Sequence, residues 1–126
     1  MSSEAINLKI HSQFSICEGA VKINQLSEFC KKNNISAVGI CDNENLSGAL
    51  EFSNELSKFG IQPIIGTSIF LKEIVENEIF YGKISLFAKN NTGYKNLLKL
   101  SSKSYLNLKD DDVKPNISLD LLKKYS

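Results

Sequence analysis

The stretch ISAVGICDNENLSGALEFSNELSKFGIQPIIGTSIF, residues 35–70, decides how this chain folds. Within it AVGIC (37–41) is a short unbroken apolar run, the pattern of a buried parallel strand. From about Leu46 to Lys58, Ala49 and Leu56 stand two helical turns apart, with Leu50 beside the first and Phe59 three residues after the second, which predicts a helix with these side chains inward and Gly60 as its stop. IQPIIGTSIFLKE (61–73) reads as another strand, with Pro63 near its start, where a missing amide donor is tolerated. Strand, helix and strand in close succession predict a parallel α/β sheet with right-handed crossovers.

Working outward, INLKIHSQFS (6–15) reads as an opening strand. NQLSEFCKKNN (24–34) reads as a helix with Leu26, Phe29 and Cys30 on its inner face. Lys31 and Lys32 suit the negative end of that helix, and Asn34 can take the left-handed stop. Downstream, residues 73–90 read as a polar turn followed by a strand at Ile84–Ala88, and 92–106 as a helix with Leu97, Leu98 and Leu100 inward. NLKDDDVKPNIS (107–118) reads as a polar loop whose three aspartates, Asp110 to Asp112, are solvated charge, and Ser118 as the N-cap of a last helix. Four strands in a mostly parallel sheet would leave two edges without evident cover, so the chain reads as interrupted.

Composition narrows the function classes. The 126 residues are 42% hydrophobic and 23% charged, which excludes wholesale disorder and fibrous classes and allows one core. A net charge of +1 gives no global field to gather nucleic acid or an anionic membrane. There is no signal-peptide pattern and no apolar run of membrane-spanning length, so a cytoplasmic protein is expected. The three cysteines, Cys17, Cys30 and Cys41, are odd in number and lack a C-x-x-C spacing, which argues against both a disulfide framework and a zinc knuckle.

Ligands of α/β folds gather at the carboxyl ends of strands. Three such tips stand out: KIHS, with Lys9 and His11 on one face of an extended segment; CDNEN, with Asp42 directly after an apolar strand; and GTS, Gly66 to Ser68.

These tips carry a resemblance. KIHSQFSICEGAVKINQL, ISAVGICDNENLSGALEF, GIQPIIGTSIF, FAKNNTGYKNLLKLSS and LLKKYS together resemble the N-terminal polymerase-and-histidinol-phosphatase (PHP) domain of bacterial replicative DNA polymerase III alpha subunits, over nearly the whole chain. The resemblance implies a distorted (β/α) barrel, of which residues 1–126 would be the N-terminal part, with the polymerase palm, fingers and thumb outside this chain. It also implies DNA-directed DNA synthesis by the intact protein with magnesium in that palm. The partners it implies are a proofreading exonuclease subunit, a sliding clamp and template-primer DNA. Family members with metal at these tips carry His-x-His, Asp-His and an acidic third tip. Here His11 and Asp42 match, while Lys9, Asn43 and Ser68 stand where the other ligands would be.

A catalytic zinc-like site needs about three protein ligands and an open position. His11 and Asp42 alone fall short, and a Lys9 ammonium beside a cation would be repelled, by about 4 kcal/mol per unit charge pair at 4 Å and an effective dielectric near 20. The expectation is therefore a degenerate strand-tip cleft of Lys9, His11, Asp42, Asn43 and Ser68 with a scaffold role, no catalytic or metal-binding residue in this segment, and Lys9 free to pair with Asp42.

Three other readings compete. A metal-dependent PHP phosphoesterase, either a proofreading exonuclease or a pyrophosphatase, would need metal at these tips, and an interaction module would use exposed sheet edges. A Cys–His nucleophile could draw on Cys17, in a loop near His11, whereas Cys41, beside Asp42 at the end of an apolar strand, and Cys30, on the inner face of a helix, read as core. Phosphate cradles of the P-loop and dinucleotide-fingerprint kinds are absent from the sequence. Lys95, Lys99 and Lys103 recur every four residues on one helix face, and with no interleaved aromatics beyond Tyr94 and Tyr105 they read as a solvated face and not as a nucleic-acid stripe.

Overall fold

In the structure, a computed structural model that describes residues 5–14, 19 and 21–126, the apolar run becomes strand β1 (Ala37–Asn43), buried along nearly its whole length. Helix α1 (Ile23–Lys32) precedes it, and helix α2 (Ala49–Lys58) links it to the long strand β2 (Gln62–Val75). Both helices end in the same way. After α1, Asn34 takes φ +55° while the N–H of Ile35 donates to Cys30 O at 2.9 Å; after α2, Gly60 takes φ +69° while the N–H of Ile61 donates to Leu56 O at 3.1 Å. This six-to-one bond satisfies carbonyls the helix itself leaves open.

β1 and β2 pair in parallel, from Ala37 opposite Gln62 to Asn43 opposite Ser68. β2 then turns into β3 (Glu78–Phe87), which pairs with it antiparallel from Val75 opposite Glu78 to Gly66 opposite Phe87. β3 therefore begins at Glu78, six positions before the Ile84 read from the sequence. Glu76 and Asn77, at φ +51° and +67°, form the tight two-residue turn that a right-twisted hairpin favours. Beyond helix α3 (Asn91–Leu106) the loop contains a two-residue strand, β4 (Asn116–Ile117), paired in parallel with Phe70 and Leu71 of β2 before helix α4 (Leu119–Lys124). The sheet is mixed, and two of its three pairings are parallel.

The opening segment follows β1 without forming a continuous ladder. Ile10 bridges Ile40, and the N–H groups of Gly39 and Cys41 donate to Asn7 O and Ile10 O at 2.7 and 2.9 Å. One edge of β1 is thereby covered.

Two apolar clusters hold the molecule together. Ile23, Cys30, Val38, Ile40, Phe52, Leu56 and Ile61 form one, with Ile65 against it; Ile69, Leu100 and Ile117 form the other, with Leu71, Leu86, Leu121 and Leu122 against it. Ile65, Ile69 and Leu71 are separated by even steps along β2, so both clusters lie on one face of the sheet. The opposite face carries Gly66, Ser68 and Phe70 beside Phe87, Ser85 and Lys83.

Several side chains read as inward point to solvent. Phe29, Leu50, Phe59 and Leu98 are exposed, while Phe52, Ser27 and Ser104 are buried in the positions the helices turn inward. Three- and four-residue spacing marks a stripe without saying which of two adjacent stripes meets the sheet; contact with β1 and β2 settles that. Lys31 stacks its ammonium 4.9 Å above the Phe59 ring, which partly explains how that ring tolerates water.

Candidate functional site

Alternation along the strands decides which tip residues can meet. Because Ile10 lies beside Ile40, His11 lies beside Cys41, on the sheet face that also bears Gly66 and Ser68. Asp42 leaves from the other face, with Val38 and Ile40, toward the start of α2. There Ser12 takes it up: the Ser12 N–H donates to Asp42 Oδ1 at 2.6 Å and the Ser12 hydroxyl to Oδ2 at 2.5 Å, with both residues buried. A Cβ on Gly48 would stand 3.2 Å from Ser12 Oγ and 3.3 Å from Asp42 Oδ2, so α2 is seated directly on this pair.

Thr67, opposite Asp42 in register, donates its hydroxyl to the carbonyls of Asp42 and Asn45 at 2.9 and 3.0 Å. The Asn45 amide in turn donates to the carbonyls of Phe14 and Asn43, each at 3.0 Å. Glu44, at φ +58°, gives its N–H to Ser68 O at 2.8 Å. Ser12, Thr67 and Asn45 thus tie the three tips together. The sequence does carry a signal for Ser12, since it follows His11 and must face the opposite way.

On the other face, Ser68 is fully buried and its hydroxyl lies 3.3 Å from Cys41 Sγ and 2.9 Å from Ser85 Oγ. Asn43 and His11 are half-buried, and His11 Nδ1 is a buried nitrogen with no hydrogen-bond partner among the described residues. Lys9 is exposed. The expected Lys9–Asp42 pairing is therefore replaced by Ser12–Asp42. In water the Lys9 repulsion of a cation also falls to about 1 kcal/mol per unit charge pair. Donor geometry, not the lysine, sets what the tips can hold.

That geometry fits a metal poorly. Among the described residues no three of His, Cys, Asp and Glu come together as a cation site. His11 and Asp42 face apart, both Asp42 oxygens accept from Ser12, and the hydroxyls of Ser68 and Ser85 are engaged with each other. Nucleophilic chemistry fares no better: Cys30 and Cys41 are buried, and burial pushes the Cys30 thiol up, away from the reactive thiolate. Cys17 lies outside the described residues.

Within the aspartate run, Asp110 and Asp111 are exposed, as read, while Asp112 departs from its reading as solvated charge. Asp112 forms a salt bridge with Lys72 on β2, accepts the Lys109 N–H at 2.9 Å and lies 3.5 Å from the Tyr81 hydroxyl. The hydrogen bond from Lys72, followed by that from Lys109, holds its carboxyl at about 2. Lys114 caps the Phe70 ring at 3.8 Å. Only the fold could show this, because Lys72 and Asp112 are forty residues apart in sequence.

Comparison with known proteins places this arrangement. The PHP domain family matches residues 7–126. The DNA polymerase III subunit alpha of Borreliella burgdorferi is 41% identical over 131 aligned positions, covering 98% of this chain and 11% of that protein. The corresponding subunit of Aquifex aeolicus is 35% identical over 137 positions, covering 99% and 12%. This chain thus spans about a tenth of the length of these relatives. Among solved structures, a protein of Bifidobacterium adolescentis assigned as a metal-dependent phosphoesterase superposes with a TM-score of 0.52 at 18% identity, over 80% of this chain and 33% of that one, a likeness of fold alone. With the family matched over residues 7–126, the chain belongs to the PHP domain family.

Proposed function

We propose that this chain is the N-terminal part of the PHP region of a replicative DNA polymerase III alpha subunit, and that its strand tips are a structural joint, not a metal site. The observation that carries this reading is the Ser12–Asp42 pair: the acidic residue of β1 is turned from His11 and bonded within the fold. The 35–41% identity to alpha subunits over almost the whole chain supports the polymerase assignment. DNA synthesis, magnesium bound by carboxylates of a palm outside residues 1–126, association with an exonuclease subunit, a sliding clamp and template-primer DNA, and a cytoplasmic location all belong to this proposal. Among the described residues no helix is long and apolar enough to cross a membrane.

The test is elemental analysis of the full-length gene product, wild type and His11→Ala, with primer extension measured alongside. The reading expects equal metal content in the two proteins and primer extension within about twofold, since a surface or strand-tip change away from a catalytic centre is usually small. A second reading, a metal-dependent phosphoesterase, is favoured by one observation, the unpartnered His11 Nδ1. Stoichiometric metal that disappears in His11→Ala, together with metal-dependent phosphodiester or pyrophosphate hydrolysis, would establish it and overturn the scaffold.

A further inference from the structure

Charge in this chain is segregated. From Lys83 to Leu106 there are five lysines and no acidic residue, although the chain as a whole is nearly neutral at +1. α3 buries Leu97, Leu100 and Ser104, which at 100° per residue turns Lys95 and Lys99 to the opposite side and leaves Lys103 on the flank between. Lys95 and Lys99 are exposed and Lys103 half-buried. The tertiary structure extends the row: the Tyr125 ring, just past α4, has the Lys99 and Lys124 ammonium groups each 5.8 Å from its centre.

We propose that the outer face of α3, continued by Lys124, docks the phosphate backbone of duplex DNA without reading its sequence. Four-residue steps advance about 6 Å along a helix, and lysine's flexible stem lets each ammonium settle on a nearby phosphate. Thr92, Ser102 and Leu106 share this face with the lysines. None is aromatic, so the face lacks the row of stacking rings that single-strand binders use. Lysine is depleted at protein–protein interfaces, which disfavours an acidic protein as the occupant. The choice of DNA among polyanions rests on the polymerase reading above.

Binding of the full-length protein to a labelled duplex, followed by fluorescence anisotropy between about 50 and 200 mM salt, tests the proposal. Three phosphate contacts contribute about 2.7 to the slope of log K against log salt, so a fourfold rise in salt should weaken the wild type about 40-fold more than Lys95→Gln/Lys99→Gln/Lys103→Gln. The triple Lys→Arg variant should restore the wild-type slope, and both variants should keep the wild-type circular dichroism spectrum. A slope unchanged within about half a unit, no duplex binding by the wild type at low salt, or equal competition by polyglutamate would overturn the proposal. Metal content does not enter this measurement, so its failure is distinct from failure of the scaffold reading.

Discussion

If Ser12–Asp42 is a structural joint, removing its hydroxyl should weaken the fold by a calculable amount. The 2.5 Å separation of Ser12 Oγ and Asp42 Oδ2 is that of a charge-assisted O–H···O bond, and Ser12 and Asp42 are 1% and 2% exposed. Hydrogen bonds to charged groups contribute about 1.5–3 kcal/mol net, so Ser12→Ala should cost roughly 2 kcal/mol. For a domain of this size that corresponds to a fall in Tm of roughly 8 °C, at about 4 °C per kcal/mol. Asp42→Asn is milder: the amide oxygen can still accept from the Ser12 N–H, and the hydroxyl can rotate to accept from the new NH2, leaving about 1–2 kcal/mol for the lost charge. Because the two side chains touch, the double variant should be non-additive by about 1 kcal/mol or more. Urea and thermal unfolding followed by circular dichroism would measure all three. A Ser12→Ala effect under about 0.5 kcal/mol, or strict additivity, would refute the joint.

Phe52→Ala should cost about 3–5 kcal/mol in the same unfolding assay, because the ring is fully buried between α1, α2 and β1. Gly66→Ala should cost about 1–3 kcal/mol: the new Cβ would stand 2.4 Å from the Phe87 ring and 2.8 Å from Leu86 O, and only the ring can move aside. Gly82→Ala, with nothing within 4 Å of its Cβ, should leave unfolding unchanged within about 0.5 kcal/mol. Asp112 titrates at about 2 in the folded chain against 3.8 as an ordinary carboxyl, so its stabilisation is present above pH 3.8 and lost as pH falls toward 2. Lys72 is raised, chiefly by its hydrogen bond to Asp112, so its share is intact below 10.5 and lost as pH rises past its folded value. Melting curves of wild type and Asp112→Asn should therefore converge at both extremes of pH, and a Tm gap persisting below pH 2 would contradict the assignment.

Much of the fold was legible along the chain. The β1–α2–β2 unit, the helix stops at Asn34 and Gly60 and the Ser118 cap all lie where local chemistry puts them, since φ preference, apolar runs and capping act within a few residues. The reading ran short wherever two remote segments had to be placed side by side. Leu98 and Phe29 sit at good helical spacing yet face water, and β3 extends six residues further back because it borrows its ladder from β2.

The same division runs through the tips. Residue type alone shows that positions 9, 43 and 68 carry lysine, asparagine and serine, none of which offers the imidazole or carboxylate that would bind a divalent cation strongly. Which donor meets Asp42 depends on the register of two segments thirty residues apart, and a shift of one residue would have offered His11 in place of Ser12. Asp112 tells the same story: its neighbours Asp110 and Asp111 are chemically identical to it, and only the packing of the loop against β2 selects the one that meets Lys72. Local conformational preference was written in the chain, whereas the partner of each buried charge was decided by long-range register and packing.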